Sequence, residues 1–232
     1  MLASIFFAGG NPFLAGAFVI FVLLICVTIT LFISSVLGTT ILKGVDSSFT
    51  LELPPYRKPQ FGKVIVRSIM DRTIFVLGRA ISVSVPAGAL IWILQNITVG
   101  DATLLTLFSN LLEPLGSVMG LSGAILAAFL LGIPANEIVI PILLMYYSQS
   151  GMLVESSGIT ELGEILKNNG WTTITALCAI LFSLNHFPCA TTLWTIAKET
   201  KSIKWTTVSF LLPTVVGIII CVMINTISTF LL

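Results

Sequence analysis

The stretch Gly132-Ile133-Pro134-Ala135-Asn136-Glu137-Ile138-Val139-Ile140-Pro141 (GIPANEIVIP) decides how this chain folds. An apolar run from Leu121 to Leu131 leads into it, and another from Ile138 to Met145 leads away. Between them stand a glycine, a proline, an amide and a carboxylate. The chain around this interruption reads as membrane. It has 232 residues, of which 56% are hydrophobic and 9% charged, with a mean hydropathy of +1.07. A soluble domain carries about 25% charged residues. The composition therefore specifies an all-α polytopic membrane protein, because lipid tolerates only backbones whose polar groups are satisfied internally. The net charge of +1 makes no case for nucleic-acid binding.

The first 42 residues contain no charged side chain. A secretory signal needs a basic region before a short apolar core, so residues 1–42 read as an N-terminal transmembrane span, its helix over 13–42. Met1 also reads as an artificial or a downstream start. Residues 43–59 form a proline-containing linker, since the prolines of ELPPYRKP stop any helix. Over 60–72, Lys63, Arg67 and Asp71 share one helical stripe, and Phe61, Ile65 and Ile69 the opposite one. That pattern predicts a helix lying at the membrane surface. A span over 74–94 follows, then a mixed region over 95–118 with Asp101 and Glu113, read as a loop plus a half-buried helix.

Four short apolar pieces come next, at 121–133, 138–148, 171–184 and 187–197. Each is too short for a full crossing of about 20 residues. GIPANE separates the first two and NHFPCATT the last two, with a polar loop over 149–170 between the pairs. A last span covers 205–232. Seven of the eleven Lys and Arg residues lie between Lys43 and Arg79, and Lys198, Lys201 and Lys204 form a second cluster. Loops 95–120 and 149–170 hold one lysine and five acids. The positive-inside rule puts the basic segments in the cytoplasm and these loops outside. Residues 121–148 then enter and leave on one side as a re-entrant hairpin, and 171–197 cross as a broken helix. The alternative, a full crossing by 121–148, leaves Lys198–Lys204 outside.

Pro134 and Pro188, 54 positions apart, mark the same device twice. In each a helix ends, proline follows one residue later, and small and polar residues open a new helix. Proline stops the first half-helix and is preorganised to begin the second. The freed backbone groups survive only under protein or a water-filled cavity, and in transporters such breaks mark a substrate site. Gly132, Pro134 and Pro188 are the break residues. Glu137 is either a site carboxylate, as acids within membrane segments usually are, or a partner for the positive end of its own helix. His186 is either a ligand or a hydrogen-bonded interior histidine. Cys189, three residues on and at a helix start, gains thiolate character there. Asn136, Thr191 and Thr192 face the substrate path or bond the loose backbone. Carboxylate, imidazole and thiolate together suit a first-row metal such as Fe(II), Mn(II) or Zn(II) rather than magnesium or calcium. The remaining cysteines, Cys26, Cys178 and Cys221, read as small core residues. Neither HExxH nor GxSxG occurs, and no third group orients His186 with Cys189, so the chain is read as no enzyme.

The strings ELPPYRKP, GIPANEIVIPILLMYY, NHFPCATTLWTIAKETKSIKWT and FLLPTVVG resemble, in that order, the C-terminal half of the membrane region of the ferrous iron transport protein B family, over roughly residues 50–217. The resemblance implies a multi-pass Fe(II) importer of the bacterial or archaeal cytoplasmic membrane, built from two gate-type repeats with a cytosolic GTPase domain. Here it implies the second gate repeat, with Fe(II) as the transported ion and no organic cofactor. It also implies a path using Glu137, His186 and Cys189. The phosphate loop GxxxxGK[ST] is missing from the chain, as is the first gate repeat. Both are expected on another polypeptide, or lost by truncation, or, for the repeat, replaced by a second copy. The alternatives are a gate-fold carrier for another small solute, nucleoside-like in kind, and a non-transporting fragment packed against the rest of a transporter.

Overall fold

A computed structural model describes residues 1–9, 11–40, 62–63, 66, 74–150 and 158–231. The linker at 43–59 and most of the proposed surface helix at 60–72 lie outside the described residues. A short helix α1 (Leu2–Phe6) precedes the long α2 (Pro12–Thr40). Helix α3 (Phe75–Asn96) leads into a two-stranded antiparallel ribbon, β1 (Thr98–Val99) and β2 (Ala102–Thr103). There follow α4 (Leu104–Val118), α5 (Gly123–Leu131), a 3-10 turn at Asn136–Ile138, and α6 (Val139–Ser148). Helices α7 (Ile159–Asn168), α8 (Thr173–Asn185), α9 (Ala190–Thr200) and α10 (Ile203–Leu231) complete the described chain.

Among the described residues four stretches are long and apolar enough to cross a membrane: Pro12–Thr40, Val76–Asn96, Thr173–Thr200 and Ile203–Phe230. The third is α8 and α9 taken together, so the proline break lies inside one 28-residue span. The polar loop expected over 149–170 is corrected in its second part, where α7 forms. Its polar side chains outnumber its apolar ones, but Leu162, Gly163 and Leu166 are buried against the core while Glu161, Glu164 and Lys167 stay exposed. That is the amphipathic pattern of a surface helix.

The core is built on α5. From Gly123 to Phe129 every residue is buried, as befits a helix that is apolar all round. Helices α4 and α5 meet at a bend of 111°. The turn between them uses Gly120 at φ +70°, a conformation that favours glycine. Asn225 of α10 donates from Nδ2 to the carbonyls of Ser117 and Val118, 3.1 Å each, closing the end of α4. The start of α5 is held by the Ser122 hydroxyl, which accepts from Ile125 N–H at 3.4 Å. It is also held by Glu113, whose carboxylate accepts from Gly123 N–H at 2.6 Å. An acid at the positive end of a helix is stabilised by the dipole as well as by the bond. Behind this, α8 packs on α10, where Cys178 and Cys221 each direct a thiol to the other's carbonyl.

Candidate functional site

Helices α5 and α6 form a hairpin. At its open end Ser122 lies beside Tyr147. At its closed end Gly132 abuts Val139. The open end lies beside the start of α8, where Trp171 Nε1 donates to Tyr147 Oη at 2.9 Å. The closed end lies beside the break between α8 and α9. Nine residues of α5 rise only about 14 Å, so the hairpin follows α8 as far as its break and turns back there.

The two proline breaks touch. The Ala190 N–H, the first amide of α9, donates to the Ile133 carbonyl at 2.8 Å. A helix start carries unpaired amides and a helix end unpaired carbonyls; here one break supplies the donor and the other the acceptor. A side-chain pair reinforces the join, with His186 Nε2 lying 3.3 Å from Asn136 Oδ1. His186 is buried and edged by the rings of Phe129, Phe182 and Phe187, at centroid distances of 5.3, 5.7 and 4.7 Å. Its imidazole also lies against the backbone of Phe182 and Ser183, at the end of α8. A ring held by an amide partner and packed among aromatic rings has a fixed orientation, as histidine ligands do. Phe187 stacks on Phe210 of α10, at 5.1 Å, which anchors the break to the next span.

Cys189 is half-exposed, with its sulfur 3.2 Å from Thr191 Oγ1 and 3.1 Å from Thr192 Oγ1. Glu137 sits on the 3-10 turn with its side chain exposed. The structure therefore pairs His186 with Asn136, and Cys189 with Thr191 and Thr192, but does not close Glu137, His186 and Cys189 into one cage. Among the described residues no group of three or more His, Cys, Asp or Glu side chains is placed to hold a metal ion. The break residues do what their types require. Phe187, before Pro188, leaves the helix after an extended His186, and Gly132 lets α6 approach α5. A Cβ on Gly132 would lie 2.6 Å from Val139 Cγ2 and 3.0 Å from the Ala128 carbonyl. Gly132→Ala is expected to cost about 1–2 kcal/mol in thermal unfolding. With Val139→Ala added, the loss should be smaller than the sum of the two single losses.

A cavity of about 300 Å³ lies between the hairpin and α8. Phe129, Val139 and Ala179 line it, and Asn136 and Ser183 give it a polar end at the break. Sequence reading passed over Ser183, a serine one turn before a break histidine, although that spacing on a helix puts it near the same break.

A hairpin and a broken helix joined at paired proline breaks, among helices of membrane length, define a gate-type multi-pass membrane protein. The chain belongs to the Gate family, whose model, described as nucleoside recognition, matches residues 62–203. A second model, ferrous iron transport protein B C terminus, matches residues 17–71, which carries that similarity upstream through most of α2. Among curated relatives, Fe(2+) transporter FeoB of Staphylococcus aureus (strain MSSA476) is 29% identical over 198 residues, covering 81% of this chain and 28% of the relative. The protein of the same name from Synechocystis sp. is 30% identical over 173 residues, 72% of this chain and 26% of its own length. That from Methanocaldococcus jannaschii is 26% identical over 203 residues, 80% and 29%. The chain thus spans under a third of the length of these relatives. No solved structure matches it.

Proposed function

We propose that this chain is a membrane-embedded part of a ferrous iron importer, and that Fe(II) passes the point where the two proline breaks meet. The observation that carries this is the join itself: Ala190 N–H on Ile133 C=O and Asn136 beside His186, with Cys189 a residue away. Asn136, Glu137 and Thr192 are exposed there. Polar groups at that depth need a water-filled cavity or a covering protein. The missing cover is the first gate repeat, on another part of the complete protein, or a second copy of this chain; the GTPase domain is likewise supplied from outside these residues. The hairpin is re-entrant, with the lysine clusters in the cytoplasm and 95–120 and 149–170 outside, in the cytoplasmic membrane of a bacterium or archaeon.

Glu137, His186 and Cys189 serve as successive stops with few ligands each. A transported ion must leave as readily as it enters, and a closed cage would hold it. His186 offers nitrogen once Asn136 gives way, and Cys189 a soft sulfur, which together favour a first-row ion over magnesium. Asn136, Thr191 and Thr192 line the path. The second reading, a carrier for a nucleoside-like solute, draws on the description of the Gate family model; it predicts no metal dependence and full tolerance of Cys189→Ser. The deciding experiment is Fe(II) uptake by the complete transporter under anaerobic, reducing conditions. Uptake that falls in His186→Ala and Cys189→Ser at unchanged membrane abundance supports the iron path, and unchanged uptake overturns it.

A further inference from the structure

The chain has one histidine, His186, and its ring stands between acceptors on two sides. On one edge Nε2 lies 3.3 Å from Asn136 Oδ1. Elsewhere the ring lies against the backbone of Phe182 and Ser183. Both residues belong to the last turn of α8, where carbonyls have no partner within the helix. His186 is 8% exposed, so these neighbours, more than bulk water, decide its hydrogen bonding. A neutral imidazole has one N–H and one lone pair, and an amide oxygen only accepts. The pair with Asn136 therefore puts the proton on Nε2 and the lone pair on Nδ1, the nitrogen next to the main chain. A metal ion needs the lone pair of a neutral ring. Nε2 is the nitrogen turned toward the polar end of the cavity, where Asn136 and Ser183 stand. As it is held, His186 offers a donor there and keeps its lone pair toward α8.

We propose that Asn136 is a latch on His186: its amide sets which ring nitrogen carries the proton, and an ion is taken at Nε2 only after that amide has turned away. This rests on the reading of His186 as a stop on the iron path, and says how the stop is switched on. Once the amide oxygen leaves, the carbonyls at the end of α8 are the acceptors that remain, and they favour Nδ1–H. Nε2 gives its proton to water and Nδ1 receives one from water. The ring stays neutral, and its lone pair now points to where the amide was. The exchange is nearly balanced, because one hydrogen bond is lost as another forms. At 3.3 Å the bond to Asn136 is also long for N–H···O. Asn136 has room for the move, since its side chain is exposed on the 3-10 turn and borders the cavity. The bond from Ala190 N–H to the Ile133 carbonyl keeps the two breaks together meanwhile. Asn136 belongs to the hairpin and His186 to the broken helix, so a small shift of the hairpin tip along α8 is enough to arm or disarm the ligand.

A single histidine makes the test direct. The whole purified chain is grown with isotope-labelled histidine and held in lipid nanodiscs, without metal, in mildly alkaline buffer. Nuclear magnetic resonance then reads the chemical shifts of the two ring nitrogens, which distinguish a protonated nitrogen from a bare one. The Nε2–H form is expected to exceed the Nδ1–H form about fivefold, the ratio that one net hydrogen bond supports. In Asn136→Ala the preference is expected to reverse. Asn136 is an exposed turn residue, so this variant keeps the fold, and the first reading needs no variant at all. A metal-free ring that is chiefly Nδ1–H or charged, or a ratio unchanged in Asn136→Ala, overturns the proposal. The measurement uses no iron. The latch can therefore fail while the uptake losses in His186→Ala and Cys189→Ser stand, and the iron path can fail while the latch stands as a structural pair.

Discussion

Fe(II) uptake by the complete transporter is expected to fall about tenfold or more when His186 becomes alanine, and by a similar factor when Cys189 becomes serine. The two substitutions fail for different reasons. His186→Ala removes an imidazole held beside Asn136 and framed by three phenylalanine rings; it also frees Asn136, so part of its effect is on the join between the breaks. Cys189→Ser is the cleaner probe. A serine hydroxyl keeps the hydrogen-bonding options toward Thr191 and Thr192 that the thiol has now, so α9 starts as before, while the soft ligand is gone. Uptake that falls in both variants, with unchanged amounts of protein in the membrane, assigns the loss to the path. Glu137→Gln, on an exposed side chain, is expected to lower uptake with little change in thermal unfolding.

Gly123→Val is expected to destabilise the fold by about 3 kcal/mol, the largest structural effect of any single change considered. A Cβ on Gly123 would overlap the Ser109 carbonyl oxygen and lie 2.7 Å from Glu113 N. Both obstacles are backbone of α4, so relief requires parting α4 from α5 at the base of the hairpin. The same movement stretches the bond from Gly123 N–H to the Glu113 carboxylate, which is worth on the order of 1 kcal/mol. The loss is read from thermal unfolding in detergent. Gly88→Ala is the control: a Cβ there meets nothing within 4 Å, and no destabilisation is expected. Equal melting of Gly123→Val and the unmodified chain would show that α4 and α5 are not packed as described.

The breaks were legible in the sequence because Pro134 and Pro188 each stand among small and polar residues that can open a new helix, whereas Pro86, Pro114 and Pro213 are carried inside α3, α4 and α10. Their contact was not legible. The Ala190–Ile133 and His186–Asn136 pairs are tertiary, set by a hairpin whose length matches the first half of a span, and no local pattern encodes that match. Glu113 looked like a loop acid because its partner, Gly123 N–H, comes within reach only through the 111° bend after α4. The pattern in α7 was present in Leu162 and Leu166, but five polar or charged neighbours over a short stretch outweighed it. Glu137, His186 and Cys189 share a neighbourhood in the sequence-based reading because they flank the two breaks. In three dimensions the breaks meet through backbone and amide, which leaves the three ligand groups pointing into separate surroundings.

The most direct test of an iron stop at the breaks is X-ray absorption at the iron edge on the purified chain loaded with Fe(II) under strictly anaerobic, reducing conditions. A sulfur shell together with imidazole scattering is the expected result, with the sulfur lost in Cys189→Ser and the imidazole lost in His186→Ala. An all-oxygen environment that is identical in the unmodified chain and both variants would contradict it.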